Sequence, residues 1–339
     1  MRFLIICRVI DHYGDAGFSL RLALSLCQRG HIVNFLIDNF STLKKIRPKS
    51  LPPSLTVTHI HSRDAFMNFC ETLNQPLHAV IECFGSSSSC NSNISNDQLQ
   101  HKLGQIHWLI IEYLTAETWN EQFHLKPSIN PQTGYQSLYV YPGFSSRTGG
   151  LIYQDLPHTP IPKTKHHKTN QIFVFCYPSS PLEALIRAST NQFEIHTVGL
   201  QSNQPIVNLE FCPINEFDHR LRDYDWCFVR GEDSFVRAQL NGIPFVWQVY
   251  KTADQAHRIK LHAFFNLFTE HMDNDLREKL KLVWLGWNEQ TTEDIFMNAW
   301  IDIQSDYDRL LTYCQNWAST LLRGKELTQT VEFLALQTG

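Results

Sequence analysis

Short apolar runs alternate along this chain with segments of helical spacing, and that alternation admits few architectures. Phe3 to Ile10 (FLIICRVI) reads as a strand buried on both faces, as parallel sheets require. Phe18 to Arg29 then sets Leu20, Ala23, Leu24 and Cys27 at helical spacing, Gly30 stops the helix, and His31 to Ile37 is a second strand. HAVIECFG (78–85) and HWLIIEYL (107–114) read as further buried strands, separated by the Ser/Asn-rich SSSSCNSNISND (86–97), a solvated loop by composition. The stretch LPHTPIPKTKHHKTN (156–170) reads as a linker. Beyond it the alternation restarts with QIFVFCY (171–177), FEIHTVG (193–199), VNLEFCP (207–213), WCFVRG (226–231) and IPFVWQVY (243–250), and from Ala253 the pattern is helical.

Two doubly wound α/β domains are therefore expected, with ligands at the carboxyl ends of strands and in the cleft between domains. The 339 residues suit an N-terminal Rossmann-like domain over 1–158, a linker over 159–170, a second Rossmann-like domain over 171–315, and helices over 316–339 that pack back on the first domain. A formal charge of −4 argues against nucleic-acid binding through a basic field. The nine cysteines form no C-x-x-C pair and several sit in apolar runs, so free buried thiols and a cytoplasmic location are expected. Arg8 and Asp11 interrupt what would be a leader sequence, and no apolar stretch reaches membrane-spanning length.

Three segments carry candidate chemistry. In DHYGDAG, Asp11 and Asp15 flank a glycine turn at the end of the first strand. They suit a base with its orienting neighbour or a clamp for a cation, or equally a helix cap (Asp15) with a turn closure (Asp11). Asp38 stands where a ribose-binding acid would, but the turn holds only Gly14 and Gly17 and lacks G-x-G-x-x-G, so a dinucleotide site is the weakest reading. In RGEDSFVRAQ (230–239), a strand meets a helix start, where backbone N–H groups favour a diphosphate and Arg230 and Ser234 add donors. Glu232 and Asp233 suit sugar hydroxyls, or ordinary capping. In the third segment Phe175, Tyr177 and, further on, Phe211 end strands, placed to stack on a base or to fill core. Asp223-Tyr224-Asp225 and Asp306-Tyr307-Asp308 mimic the D-x-D metal motif but fall in helical patterns, where their side chains diverge. No metal site is expected.

Taken together, CRVIDHYGDAG (7–17), VIECFG (80–85), IEYLTAETW (111–119), YPGFSSRTGGL (141–151) and VRGEDSFVRAQLNGIPFVWQVY (229–250) resemble the EarP family of protein-arginine rhamnosyltransferases over nearly the whole chain. The resemblance implies a GT-B fold and metal-independent, inverting transfer of L-rhamnose from dTDP-β-L-rhamnose to an arginine of elongation factor P. No cofactor, nucleic acid or membrane is implied. By motif, Asp15 corresponds to the general base and Asp11 to its essential neighbour, with Glu232 in the catalytic set. Phe175, Tyr177 and Phe211 match nucleotide-binding aromatics, while Arg230, Gly231, Asp233 and Ser234 match positions that hold sugar and diphosphate. Gly14 and Gly17 join the substrate-binding set. The chain departs from the family at Ile214, where a polar base contact is usual, at Leu20 for Trp, at His12 for Asn and at Lys251-Thr252 for Pro-Gln.

For an arginine acceptor a pair of carboxylates is the natural device. The arginine guanidinium is protonated at physiological pH and its lone pairs are delocalised, so the site must orient the fork and help remove a proton; one carboxylate can hold the guanidinium while the other takes the proton. Two other readings stand beside this one. One is a GT-B enzyme with a different nucleotide sugar or acceptor, motivated by Ile214 and Leu20. The other is a protein that binds elongation factor P without modifying it.

Overall fold

The computed structural model describes residues 1–73, 75–85, 106–129, 131, 134, 136–153, 156 and 170–337. The Ser/Asn-rich stretch 86–97 and the linker over 159–169 lie outside them. The chain forms two units, residues 1–156 with 324–339, and residues 157–323. The chain returns to the first unit at Gly324 rather than at residue 316.

In the first unit the described strands are β1 (Arg2–Cys7), β2 (Ile32–Ile37), β3 (Leu55–His59), β4 (Ala79–Cys83), β5 (His107–Ile111), β6 (Pro127–Ile129) and β7 (Gln136–Val140). They lie in the order β3-β2-β1-β4-β5-β7-β6, parallel except for β6 against β7. β1 is central because Phe3, Leu4 and Ile5 leave no surface for water, and neither does any residue from Ala79 to Ile81 beside it. Helix α1 (His12–Gln28) is buried from Asp15 through Ala23, so it is embedded rather than amphipathic. The other described helices of the first β-α series are α2 (Phe40–Ile46), α3 (Arg63–Thr72) and α4 (Trp119–Phe123).

The second unit carries β8 (Asn170–Val174), α5 (Leu182–Ser189), β9 (Phe193–Val198), β10 (Val207–Leu209), α6 (Ile214–Arg222), β11 (Trp226–Arg230), α7 (Asp233–Leu240) and β12 (Phe245–Gln248). Its described strands form a parallel sheet in the order β10-β9-β8-β11-β12. Helices α8 (Ala256–Phe268), α9 (Asn274–Trp287), α10 (Glu293–Ile303) and α11 (Tyr307–Leu321) follow. Trp226, Phe228, Phe245, Trp284, Trp287 and Trp300 are buried in an aromatic core of edge-to-face pairs. The VNLEFCP run yields strand only to Leu209, so Phe211 stands beyond the sheet.

The final helix α12 (Leu327–Leu336) completes the first unit. Leu151 and Glu326 form a parallel bridge, and the Leu327 N–H donates to the Leu151 carbonyl at 2.9 Å. Gly150 makes the approach possible: its φ is +87°, and a Cβ there would meet the Lys325 carbonyl oxygen at 2.2 Å. Ser25 and Thr328 hydroxyls pair at 2.8 Å, and Glu332 receives Arg29 and His31. Among the described residues no helix is long and apolar enough to cross a membrane. The described cysteines are free thiols, buried except for Cys27.

Both sheets reverse their strand order at one place, between β1 and β4 and between β8 and β11. Doubly wound sheets bind ligands at the carboxyl ends of the strands flanking such a reversal. The candidate segments follow β1, β8 and β11.

Candidate active site

At the carboxyl end of β1 the segment read as a loop is mostly helix. Asp11 precedes α1, whereas His12 to Gly17 belong to it. The turn is closed by Asp15, whose Oδ2 accepts the N–H groups of Ile10 at 2.7 Å and Asp11 at 2.8 Å. Each such charge-assisted bond stabilises by about 1.5–3 kcal/mol. The capping expectation is thereby reversed: Asp15 reaches back to hold the turn, and Asp11 is the N-cap residue. Asp11 Oδ2 lies over Gly14, where a Cβ would come within 2.7 Å of it, so glycine lets the carboxylate settle on the helix start. Asp15 is 2% exposed and Asp11 8%. Gly17 is buried in the body of α1, a packing position.

Neighbouring groups keep this corner rigid. Asp38, the candidate ribose acid, instead accepts the Val9 N–H at 2.9 Å and ties the ends of β1 and β2 together. Burial pushes the Cys83 thiol up to about 12, and the Asp15 charge adds to the rise. Cys7 is raised well above its usual value, chiefly by burial as well. Neither thiol is therefore a nucleophile at neutral pH.

In the second unit, eight candidate residues converge on the ends of β8 and β11. The Phe175 N–H donates to the Phe228 carbonyl at 2.8 Å, and the Tyr177 N–H to Gln248 Oε1 at 2.7 Å. Phe175 and Tyr177 follow β8 and both face Arg230, whose guanidinium carbon lies 4.5 Å from each ring centroid. Phe211 meets Phe175 edge-on at 6.1 Å. After Arg230 the chain turns through Gly231 (φ +60°), whose carbonyl accepts the Trp247 indole N–H at 2.8 Å. Trp247 in turn stacks on Phe235 of α7 at 4.1 Å.

Glu232 is the N-cap residue of α7, and Asp233 and Ser234 form its first turn. Ser234 donates its hydroxyl to the Arg230 carbonyl at 2.6 Å, which closes the turn. The N–H groups of a first helical turn have no intrahelical acceptors and carry the positive end of the dipole. An anion is the ligand such a start favours, and Arg230 adds a full charge beside it. Glu232 is 8% exposed and accepts from Lys260 Nζ at 2.7 Å. α7 itself is held by Arg237, which forms two 2.7 Å bonds to Asp218 of α6 in full burial.

Three neighbours escape a reading of the sequence alone. Gln248 sits in an apolar strand, and a lone amide there is the signal that a backbone group needs a partner. Tyr250 meets Tyr177 edge-on at 5.6 Å, and Lys260 comes from a helix 28 residues past Glu232. The decoy at Asp223–Asp225 is a connection between α6 and β11 rather than helix, and Asp225 accepts the Gln171 N–H at 2.7 Å. The decoy at Asp306–Asp308 does enter a helix, α11. Ile214 begins α6 and is buried. Among the described residues no group of three His, Cys, Asp or Glu side chains is placed to hold a metal ion.

Comparison with known proteins identifies a family and a fold. The sequence matches the family described as Elongation-Factor P (EF-P) rhamnosyltransferase EarP over residues 3–204 and 189–335. A protein-arginine rhamnosyltransferase of Neisseria meningitidis is 31% identical over 303 residues, covering 77% of each chain. The fold is similar to a solved structure reported as the structural basis for EarP-mediated arginine glycosylation of translation elongation factor EF-P. That pair shares 18% identity at a TM-score of 0.58, covering 100% of this chain and 99% of that one. The Streptomyces sp. SF2575 glycosyltransferase SsfS6, solved with thymidine diphosphate, shares the fold at 11% identity and a TM-score of 0.54, covering 98% of this chain and 99% of that one. With the family pattern running from residue 3 to residue 335 and through both parallel sheets, the chain is a GT-B glycosyltransferase and belongs to the EarP family of protein-arginine rhamnosyltransferases.

Proposed function

We propose that this enzyme transfers L-rhamnose from dTDP-β-L-rhamnose to an arginine of elongation factor P, with inversion at the anomeric carbon and no metal. The observation that carries the donor half is the Arg230 guanidinium set against Phe175 and Tyr177 beside the start of α7. Aromatic faces suit the thymine base or the sugar, and the helix start suits the diphosphate. Family membership supports the protein acceptor.

The chemistry follows from those parts. A guanidinium nitrogen attacks the anomeric carbon as the bond from that carbon to the diphosphate oxygen breaks. The nitrogen's proton passes to the Asp15 carboxylate, and Asp11 orients the fork. Negative charge gathering on the departing dTDP is met by Arg230 and the N–H groups of α7, worth a few kcal/mol by analogy with oxyanion sites. Glu232 and Asp233 hold sugar hydroxyls or balance the positive charge of the oxocarbenium-like state.

The test is to incubate the chelator-treated protein with dTDP-rhamnose and elongation factor P, then weigh the factor. One added deoxyhexose on an arginine is expected. No gain, or a gain from a different nucleotide sugar alone, overturns the donor assignment. The second outcome would trace to Ile214.

A further inference from the structure

We infer that Lys260 is a positioning residue of the donor site, cancelling and aiming the Glu232 carboxylate; this rests on the reading of α7 as the diphosphate-binding helix start. The puzzle is the acid itself. Glu232 directly precedes the first turn of α7, and a carboxylate there favours the helix but opposes a second anion at the same place. Lys260 resolves the conflict. Its Nζ donates to Glu232 Oε1 at 2.7 Å, with the two side chains 22% and 10% exposed. A pair so far withdrawn from water is screened little by salt. Lys260 also reaches Glu232 from a separate element, α8, which is anchored in the core by Leu261 and Phe264, each 1% exposed. The carboxylate is thus fixed in direction by a rigid neighbour, and its charge is neutralised where the diphosphate docks.

The experiment uses the full chain with Lys260→Met, Lys260→Arg, Glu232→Gln and the double variant Glu232→Gln/Lys260→Met. dTDP affinity is measured by calorimetry, and donor KM and kcat by transfer. Lys260→Met is expected to weaken dTDP and raise donor KM by about tenfold each, with kcat changed by less than about threefold. Lys260→Arg should restore both to within about threefold. In the Glu232→Gln background, Lys260→Met should cost less than about twofold, because the charge it cancels is gone. Equal losses in both backgrounds would overturn the inference, as would a fall in melting temperature with dTDP affinity unchanged. If the unaltered protein binds UDP but not dTDP, the donor reading fails while the Lys260 assignment is tested on UDP. If it binds no nucleoside diphosphate, both fail.

Discussion

Arg230 rests its guanidinium against Phe175, the carbon 4.5 Å from the ring centroid, and so presents a charge whose orientation is set before any ligand arrives. A flexible ammonium cannot reproduce that, because it has neither the planar fork nor the face that stacks. Arg230→Ala is expected to lower kcat/KM by roughly 10²–10³-fold and Arg230→Lys by about tenfold. Steady-state transfer assays decide. A lysine variant at the normal rate would mean that charge alone matters and the stacking is incidental.

In the proposed mechanism Asp15 joins two tasks that substitution can separate. Asp15→Asn keeps an oxygen for the N–H groups of Ile10 and Asp11, so the fold should survive while kcat falls by roughly 10²–10⁴-fold. Asp15→Ala leaves both donors without that acceptor and should also destabilise the first unit by about 2–4 kcal/mol. Thermal unfolding beside turnover tells the two apart. Normal turnover by the asparagine variant would remove Asp15 as the base.

Arg237 and Asp218 make the most deeply buried ion pair described, with Asn241 donating to the same carboxylate at 2.7 Å. Arg237→Met strands the Asp218 charge and is expected to destabilise the second unit by about 3–5 kcal/mol. Replacing both partners with apolar residues of similar volume should recover most of that loss in denaturant unfolding.

His124 gives the first unit a dependence on pH. Burial, with the Lys325 charge adding to it, lowers its pKa from 6.5 to about 4, and its Nδ1 accepts the Tyr141 N–H at 3.2 Å. The neutral ring belongs to the folded state, whereas the unfolded chain takes up a proton below about pH 6.5. Stability from this group is therefore complete above that pH and declines as pH falls toward 4. Because the ring keeps partial contact with water, the loss from pH 7 to pH 5 should be about 1 kcal/mol, and His124→Gln should remove it. Identical urea-unfolding profiles for the two proteins at both pH values would refute the assignment.

The buried strands were legible because burial on both faces writes itself as an apolar run, as in Phe3–Cys7 and Trp226–Val229. The two edge strands of the first sheet were not: in Leu55–His59 only Leu55 is buried, and Pro127–Ile129 is three residues long. The start of α1 was read too late because aspartates and glycines signal a turn, whereas here Asp15 uses its carboxylate to bind the turn into the helix. The candidate donor residues lay within three short segments and could be named from them. Gln248 and Lys260 could not, since each acquires its role only when a different element comes alongside.

The bridge between Leu151 and Glu326 makes the first unit discontinuous in the chain, with the whole of the second inserted before its last helix. During synthesis the ribosome therefore releases α1 long before the helix whose Thr328 meets Ser25, and that flank of α1 stays wet until the second unit has emerged. The second unit can thus mature while the first waits for its closing piece.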